Sequence, residues 1–186
     1  MPAMYSHIAY IALGSNLQDP VTQVNNAFSR LDNLPKTNVV KASSLYVTEP
    51  LGYEPELLKT VPDFINAVAE VSTDLSPLEL LDAILGVENE AGRKRPYANA
   101  PRVLDCDLLL YDDVMMNTEK LTLPHPRMHL RSFVLLPLAE IAPNLALPNL
   151  TLPDGSNVVK IVQSYLNQGI KKLDKWAFLI SIPTSW

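Results

Sequence analysis

The amino-acid sequence predicts an α+β domain with a ferredoxin-like antiparallel sheet, helices packed on that sheet, and C-terminal additions. Three observations predict it: short apolar runs end at turn residues, two other segments have helical periodicity, and the elements follow the order strand, helix, strand, strand, helix, strand. The 186 residues suffice for one domain with a buried core. We therefore expect a single domain over residues 1–186, in which the segments after Pro124 are additions to the ferredoxin-like elements.

The first strand and the first helix lie in the N-terminal part of the chain. Residues 7–13 form a short apolar run that stops at the turn residues Gly14-Ser15-Asn16, as a buried strand does. Asp19-Pro20 is typical of a helix N-cap followed by proline at the first helical position. Apolar residues then recur at helical spacing up to about Pro35, namely Val21, Val24, Phe28 and Leu31.

Two further strands are expected at residues 39–48 and 64–73, where β-branched and other apolar residues are frequent. The segment between them contains Gly52 and three prolines, so we expect it to be irregular. Loops of this length inside compact domains are often functional. The segment is therefore a candidate lid.

The clearest helix begins at Ser76, because Ser76-Pro77-Leu78-Glu79 is a capping box with proline at the first helical position, and it ends near Gly92. Residues 103–111 then form a strand, and a turn leads into a short strand near residues 114–116. Residues 157–166 are a candidate final helix. The tail 164–186, with its apolar segment 177–182, has no assigned role.

Composition limits the partners and the cellular location. The net charge of −5 argues against a general nucleic-acid binder, since such binding needs a basic surface. Cys106 is the only cysteine, so an internal disulfide is impossible and a reducing compartment is expected. No apolar run approaches the roughly 18 residues that span a bilayer. We expect a cytoplasmic protein without membrane or nucleic-acid partners, and a monomer rather than an oligomer.

Asp105 and Asp107 are the first candidates for chemistry. Side chains alternate across a strand, so these two carboxylates share one face while Leu104, Cys106 and Leu108 share the other. At roughly 6 Å and an effective dielectric constant near 20, the two charges repel by about 3 kcal/mol, which favours a bound cation. Hard oxygen ligands of this kind suit Mg²⁺. A simply solvated face is the alternative.

Basic residues stand close to this pair in the sequence. Arg93, Lys94 and Arg95 follow the second helix, and Arg102 immediately precedes the aspartate strand. Cations and paired carboxylates together indicate phosphoryl transfer, which depends on positioning and charge neutralisation. The alternative for the basic run is a solvated helix end, since cations favour a helix C-terminus.

Two further titratable residues are candidates. Glu88 falls on the apolar face of the second helix, where it is either a pocket residue or an ion-pair partner of Arg93 or Arg95. His125 lies between two prolines and is followed by Arg127 and other basic residues. Neighbouring positive charge favours contact with a phosphate over metal ligation, although a plain surface histidine is the alternative.

Five stretches of the sequence, taken in order, resemble the 6-hydroxymethyl-7,8-dihydropterin pyrophosphokinase family of the folate pathway. They are AYIALGSNL, SSLYVTEPLGY, DFINAV, PRVLDCDLLLYDD and LTLPHPRMHLRSFVLLPLAEIAP, from about Tyr10 to Pro143. The family-like core covers about residues 7–163. The resemblance implies a ferredoxin-like fold, two Mg²⁺ ions, and ATP and 6-hydroxymethyl-7,8-dihydropterin as substrates. The implied reaction is attack of the pterin hydroxyl on the β-phosphorus of ATP, which releases AMP.

The resemblance also implies roles for individual residues. Asp105 and Asp107 match the metal-binding pair, and they form the implied catalytic set with Arg93, Arg95 and Arg102. The implied pterin contacts are the rings of Phe64 and Phe133, the amide of Asn66, and the segment that contains Thr48, Glu49 and Leu51. The implied ATP contacts are Glu88, Arg93, Arg102, Leu108 through its backbone, Lys120, Thr122, His125 and Arg131.

The sequence departs from the family in one loop. The family commonly has an arginine-tryptophan-glycine-proline-arginine segment, whereas residues 97–102 read YANAPR, one residue shorter and without the tryptophan. Two other classes of function stay open at this point. A nucleotidyltransferase would also pair a Gly-Ser turn with an Asp-x-Asp strand, and a non-catalytic small-molecule binder would need neither the aspartates nor the arginines.

Overall fold

A six-stranded antiparallel sheet forms the centre of the fold. The computed structural model describes residues 5–50, 54–92, 103–145, 158–163 and 169–173. A separate two-stranded hairpin lies beside the sheet. The strands are β1 (His7–Ser15), β2 (Thr37–Ala42), β3 (Tyr46–Thr48), β4 (Phe64–Thr73), β5 (Asp105–Tyr111), β6 (Met116–Asn117), β7 (Thr122–Leu123) and β8 (Ile170–Lys172), of which β6 and β7 form the hairpin.

The described residues form five α-helices: α1 (Pro20–Asp32), α2 (Pro55–Leu58), α3 (Pro77–Glu90), α4 (Ser132–Ile141) and α5 (Val158–Gln163). The predicted caps are present. Asp19 accepts from the Thr22 backbone N–H at the start of α1. At the start of α3, the backbone N–H of Ser76 donates to Glu79 Oε2 at 2.7 Å, and Ser76 Oγ accepts from the Glu79 N–H in return. No helix in the described parts of the chain is long and apolar enough to cross a bilayer.

The strand order confirms the ferredoxin-like arrangement. The order is β5-β1-β4-β3-β8, and β2 also pairs with β4. Both β2 and β3 lie along β4, one after the other, so together they take the place of the single second strand of the motif. The first and last strands of the motif, β1 and β5, are neighbours, which brings residues about ninety positions apart in sequence into register.

Both faces of the sheet are covered. The first face carries Ile11 and Leu13 of β1 and packs against α1 and α3 through residues such as Phe28 and Ile84. The second face carries Tyr10 and Ala12 of β1 and Val68 of β4, and packs against α4 and α5. The predicted helix at residues 157–166 is therefore real in its described part, residues 158–163, and α4 supplies most of the second layer.

Four local predictions were wrong in detail. The expected strand at residues 39–48 is interrupted at residues 43–45, because Ser43 Oγ accepts the Val68 N–H at 2.8 Å and so replaces a backbone partner. The strand expected from residue 103 begins at Asp105, since the Val103 carbonyl accepts from Ser15 Oγ instead. The segment between β3 and β4 is not wholly irregular, because it contains α2.

The fourth correction concerns the C-terminal part of the fold. The short strand expected near residues 114–116 is present as β6, shifted to Met116–Asn117, where it pairs with β7. The main sheet gains β8, whose residues 170–172 pair with β3 and belong to the tail that had no assigned role. The apolar segment 177–182 lies outside the described residues.

Candidate active site

The candidate site lies at one end of the second face, where β1 ends and where β4 and β5 begin. Gly14 of β1 is directly opposite Asn66 of β4 on one side and Asp105 of β5 on the other. Directly opposed residues point to the same face of a sheet. Asp105 and Asn66 therefore lie one strand away from Gly14 on opposite sides. The two residues are separated by two strand spacings, about 10 Å across the sheet.

Gly14 places no side chain in the space between these two polar residues. A Cβ at this position would lie 3.2 Å from Asn66 Oδ1, which is closer than ordinary van der Waals contact. The sequence pattern indicates a turn residue at Gly14 and does not predict this role. The only signal in the sequence is a glycine at the end of an apolar strand, and that pattern has many other causes.

The two aspartates lie on the second face, as predicted. Cys106 and Leu108 are buried in the core of the first face, whereas Asp105 and Asp107 are partly exposed. Arg131 Nη1 lies 3.6 Å from Asp107 Oδ2, and the Arg131 guanidinium lies 5.8 Å from the centre of the Phe133 ring. The structure thus brings Arg131 to the carboxylate pair, although it lies 24 positions after Asp107 in the sequence.

The described pterin candidates lie on or next to β3 and β4 and at the start of α4. Asn66 is buried, and its Nδ2 donates to Thr48 Oγ1 at 2.8 Å, which fixes the amide. Phe64 is opposite Thr48 in the ladder and is partly exposed. Phe133 lies in the first turn of α4 and is also partly exposed. Neither ring is a fully buried core residue. Glu49 is exposed, and Leu51 lies outside the described residues.

The described nucleotide candidates follow the outer edge of β5. The backbone N–H of His125 donates to the Leu109 carbonyl at 2.9 Å, which holds the segment after the β6–β7 hairpin against that edge. Thr122 lies in β7 and Lys120 is exposed in the hairpin loop, whereas the Leu108 side chain is buried in the first-face core. Arg93, Arg95 and Arg102, and the loop of residues 97–101, lie outside the described residues.

Glu88 has different surroundings from the other nucleotide candidates. Its side chain is buried on α3, and Oε1 accepts the Cys106 backbone N–H at 2.7 Å. The carboxylate thus contacts the backbone between the two aspartates. The predicted ion pair with Arg93 or Arg95 involves residues outside the described part of the chain.

His125 is neutral at physiological pH. Burial and the nearby cations Arg131 and Arg127 lower its pKa to about 4, and the Asp105 carboxylate opposes this shift only in part. Nδ1 accepts the Arg127 backbone N–H at 3.2 Å, so Nε2 carries the proton. His125 can therefore donate one hydrogen bond to an anionic oxygen but does not add a positive charge.

The aspartate pair fits a hard divalent cation. Two carboxylates face the same side of one edge strand, and they are partly exposed and held on a regular backbone. Among the described residues, no group of three or more His, Cys, Asp or Glu side chains is placed to hold a metal. Mg²⁺ commonly takes only one or two carboxylates and completes its shell with phosphate oxygens and water. The donor set suits a metal that arrives with a nucleotide.

Comparisons with known proteins identify the family. Residues 10–143 match the family described as 7,8-dihydro-6-hydroxymethylpterin-pyrophosphokinase (HPPK). The 2-amino-4-hydroxy-6-hydroxymethyldihydropteridine pyrophosphokinase of Haemophilus influenzae is 43% identical over 166 residues, which cover 89% of this chain and 98% of that protein. The protein of the same name from Bacillus subtilis is 45% identical over 136 residues, 73% of this chain and 78% of the relative.

A solved structure supports the same fold. The chain resembles Plasmodium falciparum HPPK-DHPS with a TM-score of 0.69 over 92% of its length, at 16% sequence identity. It spans about half of that longer protein, 49% of its chain. This likeness concerns the fold alone, whereas the sequence matches extend over the strands and loops that form the candidate site. The chain belongs to the 7,8-dihydro-6-hydroxymethylpterin-pyrophosphokinase family.

Proposed function

We propose that this protein transfers diphosphate from ATP to the hydroxymethyl group of 6-hydroxymethyl-7,8-dihydropterin, with release of AMP, in folate biosynthesis. The family membership and the names of the relatives support this reaction. We further propose that the reaction depends on Mg²⁺, with two ions bound at Asp105 and Asp107.

The observation that carries the proposal is the register Asn66–Gly14–Asp105 on one face of the sheet. An amide that can pair with a polar heterocycle and a carboxylate that can hold a metal are about 10 Å apart, with a glycine at the strand position between them. A bicyclic ring that contacts Asn66 would direct its hydroxymethyl arm toward the aspartates. The partly exposed rings of Phe64 and Phe133 are proposed to stack on the heterocycle, since aromatic pairs contribute about 0.5–1.5 kcal/mol beyond burial.

The candidate residues have different roles in the proposed reaction. In the reaction the hydroxymethyl oxygen forms a bond to the β-phosphorus, the bond from that phosphorus to the α,β-bridging oxygen breaks, and the bridging oxygen leaves with AMP. Bound Mg²⁺ would neutralise phosphate charge and favour the deprotonated hydroxyl. Asp105 and Asp107 would hold the ions, and Arg131 and the neutral His125 would contact phosphate oxygens. Arg93, Arg95, Arg102, Lys120, Thr122 and Glu49 remain proposals from the resemblance.

The test is a product analysis. Purified protein is mixed with ATP, Mg²⁺ and 6-hydroxymethyl-7,8-dihydropterin, and the nucleotides and pterins are separated by chromatography. We expect equal amounts of AMP and diphosphorylated pterin, and no product after removal of divalent metal with EDTA. ADP would indicate a simple kinase, free diphosphate would indicate a nucleotidyltransferase, and pterin binding without turnover would indicate a binding protein; each result contradicts the proposal.

The remaining proposals concern organisation. We infer one domain over residues 1–186, a monomer, and a cytoplasmic location. Helix layers on both faces of one sheet support a single domain, and a lone buried thiol at Cys106 is compatible with a reducing compartment. Light scattering on the purified protein measures the mass in solution, and a dimer would contradict the monomer.

A further inference from the structure

The outer edge of β5 is the starting point. β5 is the terminal strand of the six-stranded sheet, so among the described residues its outward backbone groups have no strand partner on that side. Two hydrogen bonds replace those of a neighbouring strand at this edge. Glu88 Oε1 accepts the Cys106 N–H at 2.7 Å, and the His125 N–H donates to the Leu109 carbonyl at 2.9 Å. The first of these contacts lies between the two aspartates.

Glu88 is placed to fix the backbone and is poorly placed to reach a ligand on the aspartate face. It is only 2% exposed and lies on α3 beside the core residues Ile84 and Val87. α3 packs on the first face of the sheet, whereas the aspartates point to the second face. A buried carboxylate needs hydrogen bonds, since an uncompensated charge in an apolar region is costly. The Cys106 N–H supplies such a hydrogen bond to Oε1.

The Cys106 N–H belongs to the peptide that joins Cys106 to Asp105. A change in the tilt of this peptide would turn both neighbouring side chains, because Asp105 and Asp107 flank Cys106 on a continuous strand. Divalent metals that prefer octahedral geometry tolerate small changes in ligand position poorly. Residues that orient metal ligands typically alter metal affinity by about 10- to 100-fold when they are replaced.

We propose that Glu88 is a positioning residue for the metal site: it sets the orientation of Asp105 and Asp107 through its hydrogen bond to the Cys106 N–H. This inference rests on the proposed function, because it takes the aspartate pair as the metal site. It differs from the nucleotide contact that the family resemblance implies for Glu88. What orients the two aspartates in this proposal is the acceptor oxygen at hydrogen-bond distance from the Cys106 N–H. The negative charge of Glu88 is not required.

Two conservative variants separate these properties. Glu88→Gln keeps an acceptor oxygen at the same distance and removes the charge, whereas Glu88→Asp keeps the charge and is one methylene too short to reach the Cys106 N–H. The matched controls are Glu90→Gln and Glu90→Asp, at the exposed end of the same helix, where the side chain is 70% exposed and 3.7 Å from Arg30. Mn²⁺ binding to the protein in the presence of the non-hydrolysable analogue α,β-methylene-ATP, followed by electron paramagnetic resonance against a protein-free sample, is the primary measurement.

We expect Glu88→Asp to weaken Mn²⁺ binding by about tenfold or more and to lower kcat similarly, with KM for the pterin unchanged. Glu88→Gln, which keeps the acceptor, should weaken Mn²⁺ binding much less than Glu88→Asp, and both Glu90 variants should stay within about threefold of the unmodified protein. Thermal unfolding and pterin binding by calorimetry establish that each variant is folded.

Three outcomes would overturn the inference. Normal Mn²⁺ binding by Glu88→Asp would mean that the bond to Cys106 does not position the metal ligands. A larger loss in Glu88→Gln than in Glu88→Asp would assign the effect to charge. A change confined to KM for ATP would make Glu88 a nucleotide contact. If the unmodified protein itself bound no Mn²⁺ and formed no AMP, the proposed function would fail instead.

Discussion

Gly14→Ala tests whether the open space between Asn66 and Asp105 is the pterin site. The added Cβ would lie 3.2 Å from Asn66 Oδ1, and the next nearest atom, the Ile65 carbonyl oxygen, is 4.0 Å away. The Asn66 amide must therefore move by a few tenths of an ångström. Its Nδ2 is held at 2.8 Å by Thr48 Oγ1, so the movement strains that hydrogen bond.

Two opposing effects set the change in stability. A strained neutral hydrogen bond loses part of the roughly 0.5–1.5 kcal/mol that such a bond contributes. Alanine in a strand recovers about 0.5–1 kcal/mol relative to glycine, because the unfolded chain loses less entropy on folding. Gly14 does not adopt a positive φ, so alanine adds no backbone strain. The free energy of unfolding should change by less than about 1 kcal/mol.

Ligand binding should change more than stability. A displaced amide loses one well-aligned hydrogen bond to the pterin, about 1–1.5 kcal/mol, which corresponds to roughly tenfold weaker binding. Calorimetric titration with 6-hydroxymethylpterin measures the affinity, and urea unfolding measures the stability. Gly86→Ala is the matched control: it lies inside α3 with no atom within 4 Å of the added Cβ, and it should stabilise the helix by about 1 kcal/mol with pterin binding unchanged. Unaltered pterin affinity in Gly14→Ala would refute the assignment of this space.

Three further predictions concern the metal ligand, the histidine and a helix cap. Asp107→Asn should lower kcat by about 100-fold or more in the chromatographic assay, because a neutral amide binds Mg²⁺ weakly, while urea unfolding stays near normal because the side chain is only partly buried; a rate within threefold would remove Asp107 from the metal site. The folded pKa of His125 is about 4, below the unfolded value near 6.5, so the unfolded chain binds more protons and stability falls as the pH drops from 6.5 to 4. The free energy of unfolding, measured with urea at several pH values in this range, should depend less steeply on pH in His125→Gln than in the unmodified protein. An unchanged dependence on pH would contradict the lowered pKa of His125. Ser76→Ala should lower the free energy of unfolding by about 1 kcal/mol through loss of the capping box, with unchanged AMP formation; no loss of stability would mean that the cap is dispensable.

Local physics explains which parts of the fold were predictable. The caps of α1 and α3 depend on residues within four positions of each other. Asp19-Pro20 and Ser76–Glu79 therefore predict them, and the structure confirms both. The alternation that places Asp105 and Asp107 on one face is also a local property of a strand. The strand order followed from the order of the elements and the rules that connect them.

The sequence by itself determined the fold class, the acidic pair and, through the resemblance, the family. Only the tertiary structure decided which residues meet. It places Asn66 and Asp105 on either side of Gly14 and Arg131 beside Asp107. It also brings the Glu88 carboxylate within hydrogen-bond distance of the Cys106 N–H. It also decided that β3 gains β8 as a neighbour. These contacts join residues that are distant along the chain. Hydrophobic periodicity and capping describe only neighbours in sequence, whereas strand register and helix packing across the sheet bring such residues together.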